Sequence, residues 1–134
     1  MIGSGMRHIT MLFVLLLIAS AADRDLSGRY AGEWKSSGSG GSGAFRLSLE
    51  PAADGTWKCE VTFSFAGEEV KTIVRQVKVE QSKLEAAYDF DLLGGTLRST
   101  ITGEWNGKAF DGKYKTTGDG EAVDEGVWSA ARAK

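Results

Sequence analysis

The sequence predicts an all-β domain: an antiparallel up-and-down meander of about eight strands, rolled into a closed or nearly closed β-barrel, behind an N-terminal signal peptide. Three observations predict it. After residue 25, apolar residues recur at alternate positions, the period of a strand with one buried face. Short turn signals rich in glycine separate these runs. A glycine stands two residues before a tryptophan or tyrosine at Gly28/Tyr30, Gly32/Trp34, Gly55/Trp57, Gly103/Trp105, Gly112/Tyr114 and Gly126/Trp128. Within a strand the two residues of each pair face the same side. Glycine there permits sharp coiling and leaves room for a neighbouring ring, as a tightly curved barrel requires.

The elements follow in order. Tyr30, Gly32 and Trp34 share one face of a first strand, and residues 36–43 form a Gly/Ser-rich surface loop. Phe45, Leu47 and Leu49 alternate with Arg46, Ser48 and Glu50, and a turn follows from Pro51 to Gly55. The third strand has the cleanest alternation: Trp57, Cys59, Val61, Phe63 and Phe65 on one face. After a turn at Gly67-Glu68-Glu69, Val70 to Glu80 changes phase, which predicts a β-bulge near residues 73–76. Leu84, Ala86, Tyr88 and Phe90 make the fifth strand, and Gly94-Gly95 turns it. Leu97, Ser99, Ile101, Gly103 and Trp105 make the sixth. Asn106-Gly107 predicts a two-residue hairpin flanked by Trp105 and Lys108. Phe110, Gly112 and Tyr114 make the seventh, and the eighth runs from about Ala122 to Ala131.

Residues 1–21 have the three parts of a secretory signal peptide. Arg7 is the positive start, Ile9 to Ile18 is apolar apart from Thr10, and Ala19-Ser20-Ala21 fits a signal-peptidase site. The apolar run is half the roughly 20 residues that a membrane-spanning helix needs. The expectation is a secreted or periplasmic protein whose residues 22–134 form one domain, with no membrane span after cleavage.

Composition excludes several functions. Losing Arg7 takes the formal net charge from −2 to about −3, and no Lys/Arg cluster is available for phosphates, so no nucleic-acid partner is expected. Lys71, Arg75 and Lys78 are interrupted by valines and read as a solvated strand face. His8, the sole histidine, leaves with the leader, and Cys59 is the sole cysteine. A Ser-His-Asp triad, a Cys-His pair and a His-ligated zinc site therefore have no residues to build them. Cys59 is expected to be a buried, unreactive core residue. Asp119, Glu121, Asp124 and Glu125 read as a solvated turn, and Asp89 and Asp91 as outward surface charge. No cofactor, metal or catalytic residue is expected.

The Gly32-Glu33-Trp34 motif in the first strand, with Arg132 after the last, resembles the calycins: lipocalins, fatty-acid-binding proteins and avidins. The resemblance implies that Arg132 packs over the ring of Trp34 at one end of a barrel. The Thr-Asp-x-x-Tyr-like motif and late helix of lipocalins, and the helical lid of fatty-acid-binding proteins, are absent from the sequence. Length and a helix-free meander are most similar to avidin.

Two functional readings follow. One is a non-enzymatic exported barrel that binds a small apolar or aromatic ligand, with Tyr30, Trp57, Tyr88, Trp105 and Tyr114 as ligand-contacting rings with polar tips. On this reading Gly32, Trp34, Gly103, Gly112, Gly126, Trp128 and Arg132 are structural, and the glycines leave space beside the rings. The other is a filled barrel or sandwich that acts through its outer surface, as a protein-binding, inhibitor or envelope component. The leader makes the first prediction: the exported chain starts at Ala22 or Asp23. Intact mass of the exported protein checks it, and a chain that keeps Met1 to Ala21 overturns it.

Overall fold

The computed structural model describes residues 26–133; the signal peptide expected at residues 1–21 lies outside them. The described residues form nine strands and no helix: β1 (Gly28–Ser36), β2 (Ser42–Pro51), β3 (Trp57–Phe65), β4 (Glu68–Lys71), β5 (Ile73–Glu80), β6 (Lys83–Leu92), β7 (Gly95–Trp105), β8 (Ala109–Gly118) and β9 (Glu121–Arg132). They make one antiparallel sheet in the order β4-β3-β2-β1-β9-β8-β7-β6-β5. The all-β meander and the nearly closed barrel agree with the sequence reading.

The expected count of eight is corrected to nine at a single residue. β4 pairs with β3, β5 pairs with β6, and only Thr72 separates them. The two edges of the sheet are therefore consecutive in the chain. Thr72 keeps contact with β3 by its side chain, whose hydroxyl donates to the Val61 carbonyl at 2.7 Å. β3 and β5 then run side by side without a backbone ladder, and this seam is the one gap in the wall. The expected bulge is present: register slips between Val74 and Gln76, with Arg75 as the extra residue. Val70, Thr72 and Val74 point inward before it, and Val77 and Val79 after it, so the bulge keeps one apolar face through the phase change. Ile73 is left outside, 59% exposed.

The turns sit slightly off their expected places. Phe65 pairs with Glu68, Leu92 with Gly95, and Gly118 with Glu121, leaving the two-residue turns Ala66-Gly67, Leu93-Gly94 and Asp119-Gly120. All six residues have positive φ, the geometry that matches the twist of a tight hairpin. The β7–β8 hairpin is wider than expected, because Trp105 pairs with Phe110. The Asn106 side-chain oxygen accepts from the backbone N–H of both Lys108 and Ala109, at 2.9 Å each, and so sets the loop.

The two ends of the barrel differ. The 37–41 loop and the three two-residue turns lie at one end, and the first and last strand ends at the other. That second end is plugged. Tyr30 and Phe110 are fully buried with ring centroids 4.9 Å apart, and Trp105 lies 5.6 Å from Tyr30 and 5.2 Å from Phe110. The Tyr30 hydroxyl donates to the Leu26 carbonyl at 2.5 Å, which ties the incoming chain across the opening. Arg132 packs over Tyr30 and Trp105, at 5.3 and 5.1 Å from the ring centroids, and donates to the Ser27 carbonyl at 2.9 Å. This corrects the expectation that Arg132 covers Trp34. Register decides it: Arg132 pairs with Tyr30, four residues down β1 from Trp34.

Above the plug sits Trp128, and the glycines explain its position. A Cβ on Gly103 or on Gly112 would approach the Trp128 indole to 2.5 Å. With both absent, the indole lies flat on β7 and β8, and its Nε1 donates to the Thr102 carbonyl at 3.1 Å. The glycine spaces were expected to leave room near Trp105 and Tyr114; they are filled by Trp128 from the adjacent strand. Gly112→Ala and Gly103→Ala are each expected to cost about 1–3 kcal/mol, the scale for overpacking a filled site. Gly38→Ala, with open space around the glycine, is expected to stay within about 0.5 kcal/mol of the parent. Urea denaturation of the three variants checks this, and equal midpoints would overturn the role given to the two glycines.

Candidate functional site

Between Trp128 and the turn-bearing end, the barrel interior is hollow. The cavity has a volume of ≈ 490 Å³, within the range of small-molecule sites. Strand parity supplies its wall. Residues close to the ends of β1, β3, β6 and β8 reach it, because those strands finish at the open end.

One side of the wall is aromatic and apolar. Trp34 stands two residues before the end of β1, and its ring stacks on Phe65 at 6.4 Å and meets Phe63 edge-on at 6.4 Å. Its Nε1 donates to the Ser64 carbonyl at 2.9 Å, so the indole is fixed although only half-buried. Phe90 packs edge-on against Phe63 at 4.9 Å and lies 6.0 Å from Tyr88. Leu92 and Leu97 continue this side toward the mouth, and Leu93, 88% exposed, and Val123 stand at its rim.

The other side carries the polar groups. Ser99 and Thr116, both buried, share a hydrogen bond of 2.6 Å between their hydroxyls. Tyr114 donates to Asp124 Oδ2 at 2.9 Å, and Ser36 donates to Asp124 Oδ1 at 2.6 Å. Asp124 thus lines the cavity, which corrects its assignment to a solvated turn. It shares parity with Gly126 and Trp128, and that alternation was the available signal. Among the described residues no lysine or arginine lines the cavity.

The five expected ligand-contacting rings divide between the two ends. Tyr88 and Tyr114 line the cavity. Tyr30 and Trp105 belong to the plug. Trp57, opposite Pro51 in register, is half-buried at the plugged end. Trp34 and Trp128, expected to be structural, both face the cavity, and so do Phe45, Phe63, Phe65 and Phe90. Gly32 and Gly126 let neighbouring strands approach closely: a Cβ on Gly32 would strike the Ser129 backbone, and one on Gly126 the Lys35 carbonyl.

Cys59 faces inward as expected but is half-buried, because its strand borders the seam. Burial, and then the neighbouring Glu60 carboxylate, push its thiol up to about 12, far from a reactive thiolate. Asp89 faces outward. Arg98 grips it at 2.6 and 3.1 Å, and Arg75, the bulge residue, reaches it at 3.0 Å. These bonds, Arg98's first, hold its carboxyl down at about 2. Among the described residues no His, Cys, Asp and Glu cluster is arranged to hold a metal ion. Comparison with family models, with curated proteins and with solved structures finds no match for this chain.

The three tyrosines generate a pH prediction. Burial raises the pKa of Tyr30, against the pull of Arg132. Burial raises Tyr88, against its contact with Ser99, and burial followed by the Asp124 carboxylate raises Tyr114. The folded chain then holds phenolic protons that the unfolded chain releases near pH 10, so stability falls as pH rises above about 10. Tyrosinate absorbance is expected to appear above that pH and together with the loss of β-sheet circular dichroism. Titration of two or three tyrosines near pH 10 in a chain that keeps its fold would overturn this.

Proposed function

We propose that the chain is an exported, non-enzymatic β-barrel carrier that holds a small, largely apolar or aromatic ligand in the open half of the barrel. The observation that carries this reading is the ≈ 490 Å³ cavity, walled by Trp34, Phe63, Phe65, Phe90 and Trp128 and open to solvent at one end. Apolar surface held open to water is costly for a fold, and a ligand of matching chemistry recovers that cost. The signal peptide supports export.

The calycin-like reading supports the same function. In this barrel one end is stoppered by the segment just before β1 and an arginine over aromatic rings, and the other is left open, which suits a container. The non-enzymatic reading rests on the residues available. Residues 22–134 contain no histidine, the Cys59 thiol is held protonated, and among the described residues Asp124 is the only acid on the cavity wall.

Tryptophan fluorescence during titration with fatty acids, retinoids, flavins and simple aromatics tests the proposal. A saturable change in the micromolar range is expected, weakened about tenfold or more in Leu97→Trp, which narrows the cavity. Trp105→Ala, at the plugged end, is expected to lower stability and leave the ligand signal of the folded protein in place. No saturable response from any compound overturns the carrier reading in favour of action through the outer surface.

A further inference from the structure

We propose that the ligand carries a positively charged amine, held by Asp124 at the polar side of the cavity with its apolar body against the aromatic wall. This rests on the carrier reading and adds the sign of the ligand's charge.

Among the described residues, Asp124 is the one charged side chain on the cavity wall. It forms no ion pair among the described residues. The lysines of the flanking strands, Lys35, Lys113 and Lys115, are exposed on the outer face. Ser36 and Tyr114 each donate one hydrogen bond to it, one to each oxygen. A carboxylate has about four acceptor positions, so two remain for a ligand. The two hydroxyls fix its orientation and leave its charge without a countercharge. An ammonium group provides both the missing charge and the N–H donors.

The aromatic wall favours the same sign. Trp34 and Tyr114 meet edge-to-face, with centroids 6.1 Å apart beside Asp124. Ring faces attract cations, and indole does so most strongly. A carboxylate placed here would meet Asp124 with no lysine or arginine among the described residues of the cavity wall to offset the repulsion. The cavity thus selects against acids by charge and admits neutral ligands by shape.

Isothermal titration of the protein with naphthylmethylamine, naphthylmethanol and naphthoate tests the inference, because the three share one hydrophobe and differ in charge. The amine is expected to bind about tenfold tighter than the alcohol, the scale of a charge-assisted hydrogen bond, and naphthoate most weakly. Asp124→Asn, which keeps the side-chain shape and removes the charge, is expected to abolish the amine's advantage over the alcohol. Asp89→Asn, which removes the same charge from the outer face of the barrel, is expected to preserve the advantage. An amine that binds no better than the alcohol, or an advantage that survives Asp124→Asn in a folded variant, overturns the inference and leaves the carrier reading intact. Binding by none of the three, together with no response to the wider panel, overturns both.

Discussion

The seat of Trp128 on Gly103 and Gly112 organises the interior. An indole can lie flat on a sheet only where the two strands beneath it present no side chain, and β7 and β8 do so at one paired position. From there the ring touches both halves of the barrel. Below, it lies 6.0 Å from Phe110 and joins the plug; alongside, it lies 4.9 Å from Phe45; above, it is the cavity floor. A large side chain at either glycine would lift the floor into the cavity. The division into a packed end and an open end therefore follows from one ring and two missing Cβ atoms.

The wall around that floor is closed by covalent continuity where hydrogen bonding stops. β4 and β5 are the edges of the sheet and also neighbours in the chain, so neither can drift far from the other. Exposed edges invite pairing with other chains. Here the two edges face each other across the seam, and Arg75 bulges out of β5 and binds Asp89 on β6. The same residue keeps the apolar phase of β5.

Much of this was legible in the residues. Alternation assigns Phe63, Tyr88, Ser99 and Ile101 to the interior, and each lies there. The parity slip after Val74 marks the bulge to within a residue or two. Height along the barrel was not read. Alternation distinguishes inside from outside and says nothing of top or bottom, so Tyr30 and Trp105 were grouped with Tyr88 although they lie at opposite ends. Height depends on distance from a turn: Trp34 is two residues from the end of β1 and belongs to the mouth, whereas Tyr30 is two residues from its start and belongs to the plug. Asp124 reads as part of a solvated turn with Asp119, Glu121 and Glu125, although its parity with Trp128 places it inside. The partner of Arg132 depended on the β1–β9 register, which connects distant parts of the chain and has no local signal.

The three minimal turns at the open end have a kinetic meaning. A two-residue hairpin has no slack, so Ala66-Gly67, Leu93-Gly94 and Asp119-Gly120 cannot fold over the mouth as a flap. Among the described residues, only the 37–41 loop on that rim has length to spare. On the proposed carrier reading, a rim built of such turns lets a ligand exchange without waiting for a conformational gate. Association then runs close to the rate of productive encounters, and compounds are told apart by how long each one stays. Such a vessel suits rapid loading and unloading, with discrimination written in residence times.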